Sequence, residues 1–184
     1  MLAGFRVEGL DFSEDTIATV NRKFEGNPLF LGAYTPERLS DTKLRFNAVT
    51  VIEVIEHLYD EQLDVLLENV RSLLEPDGIA IFTTPNEEQL EEAMILCPVS
   101  NQLFNRWQHV RSWSQDSLSS YLNNSGFEVL QTFTANFSTS FHTDHSMHPL
   151  KDKWKALKRK IKDRFVSHRK RPHLVAIARL PRRP

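Results

Sequence analysis

Glu53, Glu56 and His57 fall within five consecutive positions, and a further histidine, His109, follows downstream. Histidine has an ordinary pKa near neutrality and is suited to taking a proton from a hydroxyl group as it reacts. His57 and His109 are therefore the candidate catalytic residues. The competing use of either ring is to cap a helix or to satisfy a backbone carbonyl. Glu53 and Glu56 leave a strand end on a turn, so they can share a metal ion without being required to. A second group, His142, His145 and His148, has spacings of three, but Pro149 and the Ser/Thr-rich surroundings predict a solvated loop.

These side chains need a frame, and the apolar pattern supplies one. Phe5 to Ser13 (FRVEGLDFS) predicts a short strand whose end caps a helix. Ser13 suits the N-cap, and Glu14 and Asp15 suit the positive end of the helix dipole. Ile17, Val20 and Phe24 recur at helical spacing until Gly26-Asn27-Pro28 stops the helix. PLFLGAY predicts a second strand, followed by polar, turn-rich residues 34–45. Ala48 to Ile55 is almost entirely β-branched and apolar, as expected for a strand covered on both faces in a parallel sheet.

After His57 a helix buries Leu63, Leu66, Leu67, Val70 and Leu73. Glu75-Pro76-Asp77-Gly78 then turns the chain into the strand IAIFTTP. Residues 86–112 read as an irregular, mostly polar insertion. Ser114 caps another helix, with Leu118, Tyr121 and Leu122 inward and Gly126 at its end. FEVLQTFTA and HLVAIARL predict two last strands, separated by a polar loop (136–150) and a basic amphipathic helix (151–168). Strands alternating with helices predict an α/β fold, a mostly parallel sheet with helices on both faces. Ligands of such sheets gather beyond the carboxyl ends of the strands. Asp11, Gly32-Ala33-Tyr34 and Glu53 through His57 all occupy those ends. A short acid such as Asp11 can accept both hydroxyls of a ribose; its plainer role is an acid at a helix N-terminus.

The 184 residues suffice for one domain with a real core, and no apolar run approaches the ~20 residues needed to cross a bilayer. The N-terminus lacks a basic start and apolar core of the signal-peptide kind, and Cys97 is the only cysteine, so the cytoplasm is the expected location. The net charge of −1 conceals an asymmetry. Residues 151–184 carry 14 Lys/Arg against Asp152 and Asp163, and the preceding part is acidic. Trp154, Leu157, Ile161 and Phe165 would form one apolar stripe packed on the sheet, leaving a cationic face. That face suits an anionic acceptor or the acidic part of the chain, and its alternatives are nucleic-acid phosphate or an anionic membrane surface.

VEGLDFSEDTI, AVTVIEVIEHL, LLENVRSLLEPDGIAIFTTPN and HVRSWSQDSLSSYLNNSGFEV follow one another as they do in class I S-adenosylmethionine-dependent methyltransferases. The chain most resembles the branch with small-molecule and ubiquinone-type O-methyltransferases, over roughly residues 5–135. That resemblance implies a Rossmann-like core over residues 1–135, completed by residues 136–184, with S-adenosylmethionine as cofactor. It implies that Asp11 binds the cofactor ribose, that Phe12, Ala33 and Tyr34 flank the adenine, and that Glu53 lies near the methionine moiety.

The sequence also departs from the family. Its six glycines stand at 4, 9, 26, 32, 78 and 126, so no Gly-x-Gly-x-Gly loop can be built from them. The resemblance therefore implies that the first, central strand and its glycine-rich loop are missing. The strands at 5–11 and 48–55 would then each lack a ladder partner, leaving a sheet edge able to take a binding partner. LCPVSNQLFNRWQHVRSW resembles a stretch that in some relatives carries a zinc knuckle. Here Cys97, Ser100, Asn105 and His109 stand at the four positions, and with two ligands absent no metal is expected there.

The expected activity is methyl transfer to an oxygen of an unidentified small-molecule or anionic acceptor. The alternative is a non-catalytic remnant serving as a binding or scaffold domain. A further alternative comes from Glu-x-x-Glu-His, which resembles the metal cluster of RNA 3′-terminal 2′-O-methyltransferases. It would use Glu53, Glu56, His57 and His109.

Overall fold

The computed structural model describes residues 4–40, 43–137 and 172–181. The chain divides into two units, Met1–Leu44 and Arg45–Pro184.

In the first unit, strand β1 (Val7–Leu10) leads through helix α1 (Glu14–Lys23) to strand β2 (Phe30–Tyr34), which pairs parallel to β1. The helix begins where its caps say it should: the Ser13 hydroxyl accepts from the Thr16 amide at 3.2 Å. Asn21 ties helix to strand. Its side chain accepts from the Ala33 amide at 2.8 Å and donates to the Ala33 carbonyl at 3.0 Å. A short 3₁₀ turn, Pro36–Ser40, follows, and its Arg38 guanidinium meets Glu8 at 3.0 Å.

The second unit holds β3 (Phe46–Ile52), α2 (Asp60–Leu73), β4 (Leu74–Pro85), β5 (Met94–Leu96), β6 (Leu103–Asn105), α3 (Gln115–Asn124), β7 (Glu128–Ala135) and β8 (His173–Arg179). Its main sheet runs β3-β4-β8-β7. β3 and β4 are parallel, while β8 is antiparallel to both β4 and β7. Three of the four strands therefore share one direction. Leu63, Leu67 and Val70 of α2 and Leu118 and Leu122 of α3 pack with Ala80, Phe82, Leu174, Ala176 and Ala178 of the sheet into one core. The α/β class and the direction of the sheet agree with the apolar pattern.

α3 ends in a complete Schellman motif. The Phe127 amide donates to the Leu122 carbonyl, and the Gly126 amide donates to Asn123. Gly126 holds φ +84, and Phe127 and Leu122 are both buried against the turn. A side chain at this φ is strained, so Gly126→Ala is expected to lower stability by about 1 kcal/mol. A urea midpoint unchanged by the substitution would contradict that.

Several local expectations are corrected. β3 is not covered on both faces: Val51 is buried, but Ala48, Thr50 and Ile52 are exposed, Ile52 by 61%. The strand is the end strand of its sheet, and α2 covers only the core side. Glu75-Pro76-Asp77-Gly78 does not separate helix from strand. It bulges within β4, whose pairing skips from Phe46–Leu74 to Ala48–Ile79. The insertion 86–112 is partly ordered. Met94–Leu96 and Leu103–Asn105 form an antiparallel hairpin whose turn closes with Asn101 at φ +55, a backbone asparagine tolerates. Most of the polar loop and all of the basic helix expected over 136–168 lie outside the described residues, as do His142, His145 and His148. Among the described residues no helix is long and apolar enough to cross a membrane.

Candidate functional site

Because β3 and β4 are parallel, their carboxyl ends share one edge of the sheet. The antiparallel β8 begins at that same edge with His173. Glu53 is the first residue beyond β3. Its φ of +51 is unusual for a non-glycine residue, and its amide is held by the Thr83 carbonyl at 3.0 Å. One carboxylate oxygen lies 3.3 Å from His173 Nδ1. The other, Oε1, is buried and has no hydrogen-bond partner among the described residues. A buried acceptor without a donor is costly, and such groups mark a place where water or a ligand belongs.

Three residues further on, Glu56 is 1% exposed. Its Oε2 accepts from the Thr84 hydroxyl at 3.0 Å, and its Oε1 lies 3.9 Å from His57 Nε2. Burial raises the Glu56 carboxyl above its ordinary value, partly offset by its hydrogen bonds.

His57 and His109, 52 positions apart, meet edge to face with ring centroids 4.7 Å apart. Each ring is oriented through Nδ1. His57 Nδ1 lies 3.3 Å from the Gln108 carbonyl, which can only accept, so that nitrogen carries the proton. His109 Nδ1 contacts the Glu88 carboxylate. Nδ1 is thus engaged in both rings, and a neutral ring of that tautomer carries its lone pair on Nε2. The connecting segment is folded to make this possible. Asn105 is buried, its side-chain oxygen accepts from the amides of Trp107 and His109, and Gln108 takes φ +61. The Val110 amide donates to the Glu56 carbonyl and closes the arrangement.

The structure therefore brings His57 and His109 together with Glu56, and it stations Glu53 at the same sheet edge, paired with His173 instead. Of the four knuckle positions, Asn105 is a structural clamp, and Ser100 serves the Cys97 sulfur through its amide at 3.4 Å. Hydrogen bonds from the Ser100 side chain, and then from the Ser100 and Val99 amides, hold the Cys97 thiol below its ordinary value. Thr84, Glu88 and His173 were not singled out by sequence. His173 could not have been, because nothing in the apolar pattern says that β8 runs antiparallel and starts at this edge. Glu88 lacked any motif, and only its contact with His109 reveals it.

In the first unit, Asp11 and Tyr34 stand at the carboxyl ends of β1 and β2. Asp11 Oδ1 accepts from the Ser13 amide at 2.8 Å, so one of its oxygens serves the helix start. Phe12 is 83% exposed. Tyr34 is covered by the Arg38 guanidinium, 5.0 Å from its ring centre, and its hydroxyl donates to the Leu31 carbonyl. Gly32 holds φ +125, a backbone that strains any other residue, and a Cβ there would also stand 2.6 Å from the Tyr34 phenol oxygen. Ala33 is buried with both peptide groups bound to Asn21.

Residues 2–132 match the model of a family described as a methyltransferase domain. A ubiquinone biosynthesis O-methyltransferase of Rhizobium rhizogenes is 30% identical over 106 residues, which cover 56% of this chain and 41% of that protein. The matched part is thus about two fifths of that relative's length. The glycopeptide N-methyltransferase MtfA superposes with a TM-score of 0.60 at 16% identity, covering 97% of this chain and 75% of its own; it has also been crystallised with S-adenosyl-L-methionine. The [4+2]-cyclase SpnF superposes with a TM-score of 0.58 at 14% identity, over 96% of this chain and 67% of its own. A fold shared with a cyclase shows that the fold alone does not fix the reaction. The sequence match is what decides the family: the chain belongs to the methyltransferase domain family, with the fold of the class I S-adenosylmethionine-dependent enzymes.

Proposed function

We propose that this protein binds S-adenosylmethionine and transfers its methyl group to an oxygen of a small acceptor molecule. The observation that carries the reading is Glu53: a carboxylate at the end of β3, on left-handed backbone, with one buried oxygen that has no donor among the described residues. The amino group of S-adenosylmethionine is a charged donor of the kind that oxygen lacks, so the residues present fit the cofactor in this respect. The terminal torsion of a glutamate is soft, and a small rotation suffices to present Oε1 to an incoming N–H. When bound, the cofactor supplies a methyl carbon made electrophilic by the positive sulfur beside it.

What remains for the protein is alignment and proton removal. His57 is the better placed base. Its Nδ1–H is committed to the Gln108 carbonyl, its Nε2 stands 3.9 Å from Glu56 Oε1, beyond hydrogen-bond distance, and its side chain is 38% exposed. His109 is held by Glu88 and packs its ring against His57, so it positions the first ring. In the first unit, we assign the ribose hydroxyls to Asp11 and the adenine surroundings to Phe12, Ala33 and Tyr34, of which Phe12 is the most exposed. The O-methyl specificity of the Rhizobium relative favours oxygen over nitrogen as acceptor. The cytoplasm is the proposed location.

The reading is tested with methyl-labelled S-adenosylmethionine and parallel panels of hydroxyl and amine acceptors. Label is expected in a hydroxyl acceptor. Label confined to amines would overturn the oxygen assignment, and S-adenosylhomocysteine binding without any transfer would favour a binding domain over an enzyme.

A further inference from the structure

We infer that His173 is a positioning residue for the cofactor: it holds the Glu53 carboxylate so that Oε1 stays turned to the amino group of S-adenosylmethionine. The inference rests on the cofactor role proposed above for Glu53. An ionised carboxylate only accepts, so in the 3.3 Å contact between Glu53 Oε2 and His173 Nδ1 the ring is the donor. One oxygen is thereby occupied. The other, Oε1, is buried and has no donor among the described residues. A glutamate side chain turns about three torsions and loses much freedom when it is fixed. The backbone fixes only its root, where the Glu53 amide meets the Thr83 carbonyl at 3.0 Å and the Thr83 hydroxyl at 3.2 Å. At the carboxylate itself the hydrogen bond comes from His173.

His173 is in turn set firmly. It opens β8 between two ladders, opposite Pro85 of β4 and Ala135 of β7. The Pro172 carbonyl just before it accepts from the Asn86 amide at 2.9 Å. Its ring lies against Phe137, with centroids 4.8 Å apart and planes tilted by 36°. Backbone and ring are thus fixed before any ligand arrives, and the donor is carried by a central strand. The side chains of His173 and Glu53 are 26% and 32% exposed, so the pair borders open space. A pair serving stability alone gains nothing from leaving the second carboxylate oxygen buried and unpaired, since that lowers stability. A carboxylate already oriented loses little further freedom when an ammonium group binds, and affinity rises accordingly.

Calorimetric titration of the whole protein with S-adenosylhomocysteine, and with 5′-methylthioadenosine, which lacks the amino-acid end, tests the assignment. His173→Phe keeps a ring for Phe137 and removes the donor. It should weaken S-adenosylhomocysteine binding roughly tenfold and leave 5′-methylthioadenosine binding unchanged. His173→Asn carries an amide nitrogen on Cγ, where Nδ1 stands, and should restore most of the affinity. On a Glu53→Ala background, His173→Phe should have no further effect. Undiminished S-adenosylhomocysteine binding in His173→Phe overturns the role of His173 and leaves the cofactor reading standing. Equal weakening of both ligands overturns it as well, because a ring that merely supports the fold affects both. So does a His173→Asn variant as weak as His173→Phe, or a second full loss on the Glu53→Ala background. A folded, unaltered protein that binds no S-adenosylhomocysteine removes the cofactor reading and the inference together. Should His173→Phe fail to fold by circular dichroism, His173→Leu, also without a donor, carries the decision.

Discussion

Removing the His57 imidazole lowers the methyl-transfer rate by about 10²–10⁴-fold, the usual contribution of a positioned proton acceptor, and leaves S-adenosylhomocysteine affinity unchanged. The separation of the two effects is the content of the prediction. Nothing in the His57 contacts reaches Glu53, whose partners are Thr83 and His173. Its own contacts run to Gln108, Glu56 and His109. Single-turnover measurements with His57→Ala and His57→Gln separate chemistry from binding. A rate within a few-fold of the unaltered protein in both variants would mean that His57 does not act on the acceptor. His109→Ala, acting through ring position, should lower the rate less.

The second large effect concerns stability. Phe82→Ala is expected to cost about 3–5 kcal/mol, a large share of the roughly 5–15 kcal/mol that holds a domain folded. Phe82 is fully buried in β4, and its ring meets Phe127 edge to face at 5.7 Å, where the Schellman turn after α3 packs on the sheet. Truncation leaves a cavity bordered by a helix end and two strands that their ladders hold in place, so little collapse can offset the loss. Ile52→Ala, at an exposed position of the end strand, should stay within about 0.5 kcal/mol. Urea denaturation of the two variants checks both values. Similar midpoints for Phe82→Ala and Ile52→Ala would contradict the placement of the core.

The same two residues show what the sequence could and could not tell. Phe82 sits in IAIFTTP, whose apolar alternation and flanking turn mark it as strand, and the core helices were legible from Leu63, Leu67 and Leu118, Leu122 at helical spacing. Ile52 sits in an equally apolar run, but composition does not say which strand ends a sheet, so its exposure was not legible. The hairpin at 94–105 was hidden because short apolar triplets carry too few residues to establish a period.

At the site, residue types and strand ends pointed to Glu53, His57 and His109, since ligands of α/β sheets gather at carboxyl edges. Their partners were not legible. Glu88 contacts His109 from 21 positions away, and His173 reaches Glu53 from 120 positions away. Such contacts depend on the fold of the 105–110 segment and the direction of β8, neither of which has a local signature.

Whether Glu53 serves the cofactor is decided by calorimetric titration of the protein with S-adenosylhomocysteine. Saturable micromolar binding at one site is expected, weakened about 10–100-fold in Glu53→Ala, the worth of one hydrogen bond to a charged group. A folded protein that takes up no S-adenosylhomocysteine, or a Glu53→Ala variant that binds it undiminished, would rule that role out.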